Sequence, residues 1–199
     1  MNHFKKLIAG VLLASVAVTA VAPVASAAEG KGQIKSNKNA VERTVGFSSF
    51  NDDRLATLIT GVTCPYFEGA VAELLATSDP ITVFAPTNYA FRKLGQGLGL
   101  GQAGVNTSNI CSVDDLLGEG TLLNILQYHV FSGDKIWYKE AKAARGGEIK
   151  MLNGDLAKIG GSGNVVTWAG GTVKVKNIRS TNAIIHVVDE VGLPPMDAK

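Results

Sequence analysis

ITVFAPTNYAFRKL, at residues Ile81–Leu94, is the stretch of sequence that decides the fold. It opens with a short apolar run rich in β-branched residues, which is typical of a buried strand, and Pro86 ends that run. Thr87 can then cap a helix whose apolar residues share one face. Those apolar residues are Ala90, Phe91 and Leu94. The stretch therefore predicts a strand, a turn and a short amphipathic helix.

Two further stretches complete the pattern. TNAIIHVVDEVGLPP, at Thr181–Pro195, contains a run of buried-strand type, and Pro194 and Pro195 prevent the ladder from continuing beyond it. LLNILQYHVFSG, at Leu122–Gly133, reads as a helix that leads into a tyrosine-histidine pair and a strand. We expect all three stretches to lie in one folded unit.

Together the three stretches resemble the fasciclin family, and they occur in that family's order. The resemblance implies an α+β wedge with a β-sandwich-like strand core and several helices packed to one side. It also implies an extracellular adhesion module that binds receptors, matrix proteins or glycans without enzymatic chemistry, and so without a cofactor. The predicted single domain covers residues 46–196.

The family also suggests positions for partner contact. In some members a tyrosine-histidine pair is implicated in integrin binding, and this chain has Tyr128 and His129 there. A fold-determining role for the pair is the alternative, with its polar atoms satisfying buried backbone. A second family contact uses a short acidic motif, but Asn177–Arg179 stands in its place and Asn182-Ala183 replaces Asn-Gly. The departure argues against an acid-mediated integrin contact.

The N-terminus has the pattern of a secretory signal peptide. Lys5 and Lys6 precede an apolar run that ends in Ala25-Ser26-Ala27, so we predict a signal peptide over residues 1–27 and a flexible leader over 28–45. A retained membrane anchor is the competing reading, which Pro23 and the small-residue cleavage pattern disfavour. We expect a secreted protein, either extracellular or periplasmic.

Charge and cysteine content narrow the possible functions. The chain carries 19 basic and 17 acidic residues, and cleavage would remove two lysines, so the exported chain is neutral and no nucleic-acid partner is implied. Two cysteines in an oxidising compartment favour a Cys64–Cys111 disulfide, with two separate buried thiols as the alternative. Neither cysteine belongs to a Cys-x-x-Cys pair, which argues against a redox catalyst.

The remaining sequence predicts helices first and strands last. We expect helices over Asp52–Thr60, Pro65–Thr77 and Thr121–Gln127, a capping box at Ser112, and a surface loop from Gly95 to Asn109. Asn153-Gly154 and Gly170-Gly171 each separate two strand-like runs, and each pair indicates a β-hairpin.

Several enzyme-like patterns have simpler explanations. Gly99–Gly104 matches the dinucleotide fingerprint by letter, but a helix precedes it where a strand is required. His186 lies inside an apolar run, where a neutral, hydrogen-bonded ring is more common than a metal ligand. Nothing places carboxylates beside the histidines, so we predict no metal site and no catalytic residues.

Three functional classes follow from the sequence. We favour a non-catalytic adhesion or surface-interaction module that binds a protein or a polysaccharide. The second class is a carrier of a small apolar ligand held between the helices and the sheet. The third is an unrecognised hydrolase, in which His129 would be the residue to test.

Overall fold

A computed structural model describes residues 38–50, 54–67, 70–76 and 79–195. The predicted signal peptide of residues 1–27 lies outside these residues, as does the leader up to residue 37. Within the described residues, no helix is long and apolar enough to cross a bilayer.

Seven α-helices and seven strands lie in the described residues. The helices are α1 Ala40–Phe50, α2 Ala56–Val62, α3 Ala70–Ala76, α4 Asn88–Gly97, α5 Val113–Leu117, α6 Thr121–Tyr128 and α7 Tyr138–Ala143. The strands are β1 Ile81–Pro86, β2 Val130–Ser132, β3 Glu148–Lys150, β4 Leu156–Gly160, β5 Thr167–Trp168, β6 Gly171–Arg179 and β7 Ala183–Val188. Short 3₁₀ turns occupy Pro65–Phe67 and Ile110–Ser112.

The strands form one mixed sheet in the order β2-β1-β7-β6-β5-β4-β3. β1 pairs with β7 in parallel and with β2 in the antiparallel sense. The N–H of Leu152, just after β3, donates to the carbonyl of Val130 in β2 at 2.8 Å, so the chain beside one edge strand meets the other edge strand. The sheet therefore curls round its own interior, and the predicted α+β class with a sandwich-like core is confirmed.

Each central strand is buried on both faces, and its side chains alternate between two hydrophobic clusters. Ile81, Val83 and Ala85 face the cluster shared with helices α1 to α6. Phe84 faces the other cluster, inside the curled sheet, where its ring stacks on Trp168 with centroids 4.7 Å apart. A continuous apolar strand is expected in this position because neither face meets water.

Several sequence predictions are confirmed at this level. The first stretch forms β1 and α4, and the Thr87 side chain accepts a hydrogen bond from the Ala90 N–H at 3.2 Å. Asn153-Gly154 connects β3 to β4 in an antiparallel hairpin. The second hairpin joins β5 to β6 as predicted, but its turn is Ala169-Gly170, one residue before the predicted Gly170-Gly171. Both turn residues have positive φ, as a type I′ turn requires.

Other predictions need correction. The capping box at Ser112 is wrong, because the Ser112 side chain makes no cap; instead the Asp114 carboxylate accepts from the N–H groups of Gly120 and Leu122 and fixes the start of α6. The helix predicted over Asp52–Thr60 corresponds to α2, which begins at Ala56. The helix predicted over Pro65–Thr77 consists, where it is described, of a 3₁₀ turn and α3.

The folded part also starts earlier than residue 46. Helix α1 begins at Ala40, inside the segment we predict as a leader, and Ala40 is buried. The Ala40 N–H donates to Asn182 Oδ1 at 2.9 Å, which ties this helix to the start of β7. A buried polar contact of this kind removes the freedom that a leader would have.

Candidate functional site

Tyr128 and His129 are both buried, with 4% and 2% of their surface exposed. Tyr128 ends helix α6 and His129 caps it, so neither residue belongs to a strand. The Tyr128 hydroxyl donates to the Leu156 carbonyl at 3.1 Å, across the interior of the sheet.

The His129 ring joins two distant parts of the chain. Its Nε2 accepts from the Gly192 N–H at 3.1 Å, so the ring proton lies on Nδ1 and donates to the Ile125 carbonyl at 2.7 Å. Burial lowers the pKa of His129 to about 4, although the hydrogen bond to Ile125 acts in the opposite direction. The ring is therefore neutral near pH 7, and both of its nitrogens are in use.

His186 is fixed in the same way with the opposite tautomer. Its Nδ1 accepts from the Asn177 N–H at 3.4 Å, and its Nε2 donates to the Ile136 carbonyl at 2.9 Å. Burial lowers its pKa, against the opposing effect of the Ile136 bond. Both histidines therefore join backbone segments.

The predicted cysteine pair is bonded in the structure. The Cys64 and Cys111 sulfur atoms form a disulfide that joins the chain after α2 to the 3₁₀ turn before α5. Both residues contact the helix-side hydrophobic cluster, so the bond reinforces that layer.

A small apolar cavity lies between α1, α2, α3 and α6 and the sheet. Its volume of about 30 Å³ is enough for only one or two water molecules. Pockets for small organic ligands usually measure roughly 300–1,000 Å³. In this conformation the cavity does not fit the apolar ligand that a carrier would hold.

An open groove of about 430 Å³ lies at the start of α4, and we call it the α4 groove. It is lined by residues of the stretches Ile81–Leu94 and Thr181–Pro195, which we call the signature stretches. Its residues are Phe47, Arg54, Thr87, Asn88, Tyr89, Arg92, Lys174, Val175, Val187 and Asp189. The Asn88 side chain accepts from the Thr57 N–H at 2.9 Å, which fixes the start of α4 against α2.

Charged side chains dominate the rim of the α4 groove. Arg54, Arg92 and Lys174 are exposed, and Lys174 Nζ lies 2.9 Å from the Asp189 carboxylate. Burial alone would raise the pKa of Asp189, but hydrogen bonds from Lys174 and from the Thr172 N–H outweigh it and hold that pKa below its ordinary value. The rim thus presents fixed charge of both signs, with cations in excess among the described residues.

The sequence did not identify this groove, since its residues come from five separate segments. One local signal was present in α4. Tyr89 and Arg92 are three residues apart, on the helix face away from buried Phe91, and 58% of Tyr89 is exposed. The burial of the opposite face therefore marks these two side chains as surface residues.

The comparisons with known proteins agree with this architecture. The fasciclin domain model matches residues 65–194. Protein sll1483 of Synechocystis is 34% identical over 129 residues, which is 63% of this chain and 62% of that protein. Transforming growth factor-beta-induced protein ig-h3 of Sus scrofa is 32% identical over 145 residues, which is 72% of this chain but 18% of that protein.

Among solved structures, a FAS1 domain pair from the insect cell adhesion molecule fasciclin I superimposes with a TM-score of 0.57 at 16% identity. The match covers 81% of this chain and 52% of that one, and it shows the shared fold. The groove residues Phe47 and Arg54 precede the matched region 65–194. Because the matched region 65–194 spans most of the chain, the chain belongs to the fasciclin domain family.

Proposed function

We propose that the chain is a secreted, non-catalytic adhesion or surface-interaction module that binds a protein or polysaccharide partner through the α4 groove. The observation that carries the proposal is the groove itself, an open, charged surface built by both signature stretches. The solved fasciclin I domains come from a cell adhesion molecule, and the N-terminal export pattern supports a position outside the cell.

Two features support binding without catalysis. Both ring nitrogens of His129 and of His186 are engaged by backbone groups, so neither ring offers a general base to a substrate. In the groove, Asp189 is held by Lys174 and by a backbone N–H. The two histidines and Asp189 therefore serve to hold the backbone in place.

We propose that Tyr128 and His129 contribute to binding indirectly. Their hydrogen bonds connect α6 to β4 and to the segment after β7, which fixes the framework of the signature stretches. Of the two roles that the sequence leaves open for the pair, the fold-determining role fits this burial.

The test is adhesion of the exported chain to its own host surface. Beads coated with wild-type chain should bind cells, matrix or polysaccharide extracted from the host. Beads coated with Arg92→Glu should bind several-fold less, and beads coated with Lys150→Glu, which changes an exposed lysine in β3, should match wild type. If wild-type beads bind none of these and a deletion strain adheres normally, the adhesion proposal fails.

A carrier function is second because of the 30 Å³ cavity. Ligand binding there would require α1 to move away from α2 and the sheet. Native mass spectrometry after mild extraction distinguishes the two functions, since a co-purifying apolar ligand would favour the carrier.

A further inference from the structure

Among its described residues, the α4 groove has more cationic side chains than carboxylates to neutralise them. Asp189 is the only carboxylate among its described residues, and Lys174 already binds it at 2.9 Å. Arg54 and Arg92 form no ion pair with any residue that the structure describes. Exposed guanidinium groups in a concave surface concentrate positive potential and attract anions.

The positive surface continues out of the groove along β6. Lys176 and Arg179 follow Lys174 on this strand, and all three side chains are exposed. The pairing of β6 with β7 is irregular around these residues, yet all three cations remain at the surface, so an extended polymer can meet more than one of them. A single small anion would need only one of these positions.

Aromatic rings accompany the cations at each end of this surface. Tyr89 is mostly exposed in the groove, and Lys93 Nζ, which is paired with Glu190, lies 5.9 Å from its ring centre. At the β6 end, Lys176 Nζ lies 4.5 Å from the Tyr138 ring and the Arg179 guanidinium lies 4.6 Å from the Trp137 ring. An aromatic ring can pack one of its faces against the C–H face of a sugar. A cation beside the ring can then bind the charged substituent of that sugar.

We propose that the α4 groove and the exposed face of β6 together bind an acidic polysaccharide, a polymer of carboxylate-bearing sugars. The inference rests on the proposed function and specifies the partner. The groove is concave, and the exposed cations continue from it along β6. This arrangement suits a chain-like ligand better than a flat membrane surface. Because the exported chain is neutral as a whole, attraction would depend on this local surface.

The experiment measures binding of the full exported chain to polygalacturonate, with neutral dextran as the comparison polymer. Wild type should bind polygalacturonate alone, and the affinity should fall steeply between about 50 mM and 500 mM NaCl. The double variant Arg92→Glu/Lys176→Glu should lose roughly tenfold or more in affinity. Arg54 is left unchanged because it directly follows in sequence residues 51–53, which the structure does not describe.

The matched control reverses two exposed lysines elsewhere on the sheet. Lys150→Glu/Lys158→Glu changes the net charge by the same amount in β3 and β4 and should bind like wild type. Tyr89→Leu keeps every charge and should weaken binding several-fold, since it removes a ring from the groove. Unchanged thermal unfolding of each variant shows that the loss is local.

Equal losses in the two charge-reversed variants, or equal binding to dextran, would overturn the inference. So would binding only to anionic lipid vesicles or to an acidic protein. Host-surface adhesion that falls in Arg92→Glu/Lys176→Glu while wild type does not bind polygalacturonate would remove the inference but leave adhesion through the α4 groove standing. Polygalacturonate binding without any host-surface adhesion would support the polysaccharide site but remove the adhesion function.

Discussion

The imidazole of His129 accepts a hydrogen bond from Gly192 and donates one to Ile125, and both partners are backbone groups. Trp168 packs against the ring with centroids 4.8 Å apart, and a Cβ added at Gly192 would lie 2.6 Å from the Trp168 ring. The segment that leaves β7 thus passes close to the indole, with space for glycine alone. Protonation of His129 would replace the Nε2 lone pair with a second donor facing the Gly192 N–H.

This arrangement predicts a loss of stability in mild acid. The unfolded histidine has a pKa near 6.5 and the folded one about 4, so between these values the unfolded chain binds a proton that the folded chain excludes. The free energy of unfolding should therefore fall as the pH drops from about 6.5 to about 4, by roughly 3 kcal/mol in total from this residue. His186, whose pKa is also lowered, adds in the same direction.

Urea unfolding at several pH values across that range measures the effect. His129→Gln should be less stable than wild type near pH 7, since glutamine does not reproduce both ring contacts, but its stability should depend less on pH. A variant that keeps the full wild-type dependence on pH would assign the effect to other groups.

At the scale of elements, helix α4 shows how a glycine can be required inside a helix. Gly95 is buried because the backbone of Gly104 and Val105 crosses directly over it. A Cβ at Gly95 would lie 2.1 Å from the Val105 nitrogen, whereas a Cβ at Gly97 would meet nothing within 4 Å. The two glycines therefore have different roles in one helix.

Gly95→Ala should destabilise the protein by at least about 1–3 kcal/mol, because backbone must move to admit the methyl group. Gly97→Ala should stay within about 0.5 kcal/mol of wild type and serves as the control. Thermal unfolding of both variants measures the difference. Equal stability of the two would show that the segment after α4 is free to move away.

The disulfide connects elements that are distant in sequence. Its 47-residue separation predicts that Cys64→Ala/Cys111→Ala loses about 4 kcal/mol, since the unfolded chain regains the freedom that the cross-link removed. Urea unfolding of the double variant and of the reduced wild type should give similar values. An unchanged mass after reduction of the wild type would contradict the bond itself.

Local signals sufficed where short-range chemistry decides the structure. The strand-turn-helix at Pro86 and Thr87 and both hairpins could be predicted because their residues restrict the backbone directly. The predicted surface loop from Gly95 begins too early, since α4 continues to Gly97 and the segment that packs on Gly95 is separate from the helix. The bonds that the Asp114 carboxylate accepts likewise serve α6, a helix other than its own, which no local pattern indicates.

At the scale of the whole molecule, the α4 groove depends on five segments meeting, and no single segment indicates it. Arg54 follows α1, Arg92 lies in α4 and Lys174 lies in β6. Their proximity is set by the parallel pairing of β1 with β7 and by the packing of α2 against α4. The pattern of one chain predicts each element but contains little information on which exposed faces converge.

Asn182 connects the helices and the sheet through its side chain. Its Oδ1 accepts from the Ala40 N–H and its Nδ2 donates to the Leu75 carbonyl, both at 2.9 Å, so one buried side chain joins α1, α3 and β7. Asn182→Ala should lose about 2–3 kcal/mol, because it leaves buried backbone groups without partners. Hydrogen exchange should accelerate most in α1, because α1 loses its link to β7, while β4 to β7 stay protected. Thr181→Ala removes only an exposed 3.4 Å contact to Lys38 and should leave α1 protected; a uniform rise in exchange in Asn182→Ala would instead indicate that the helices and the sheet unfold as one unit.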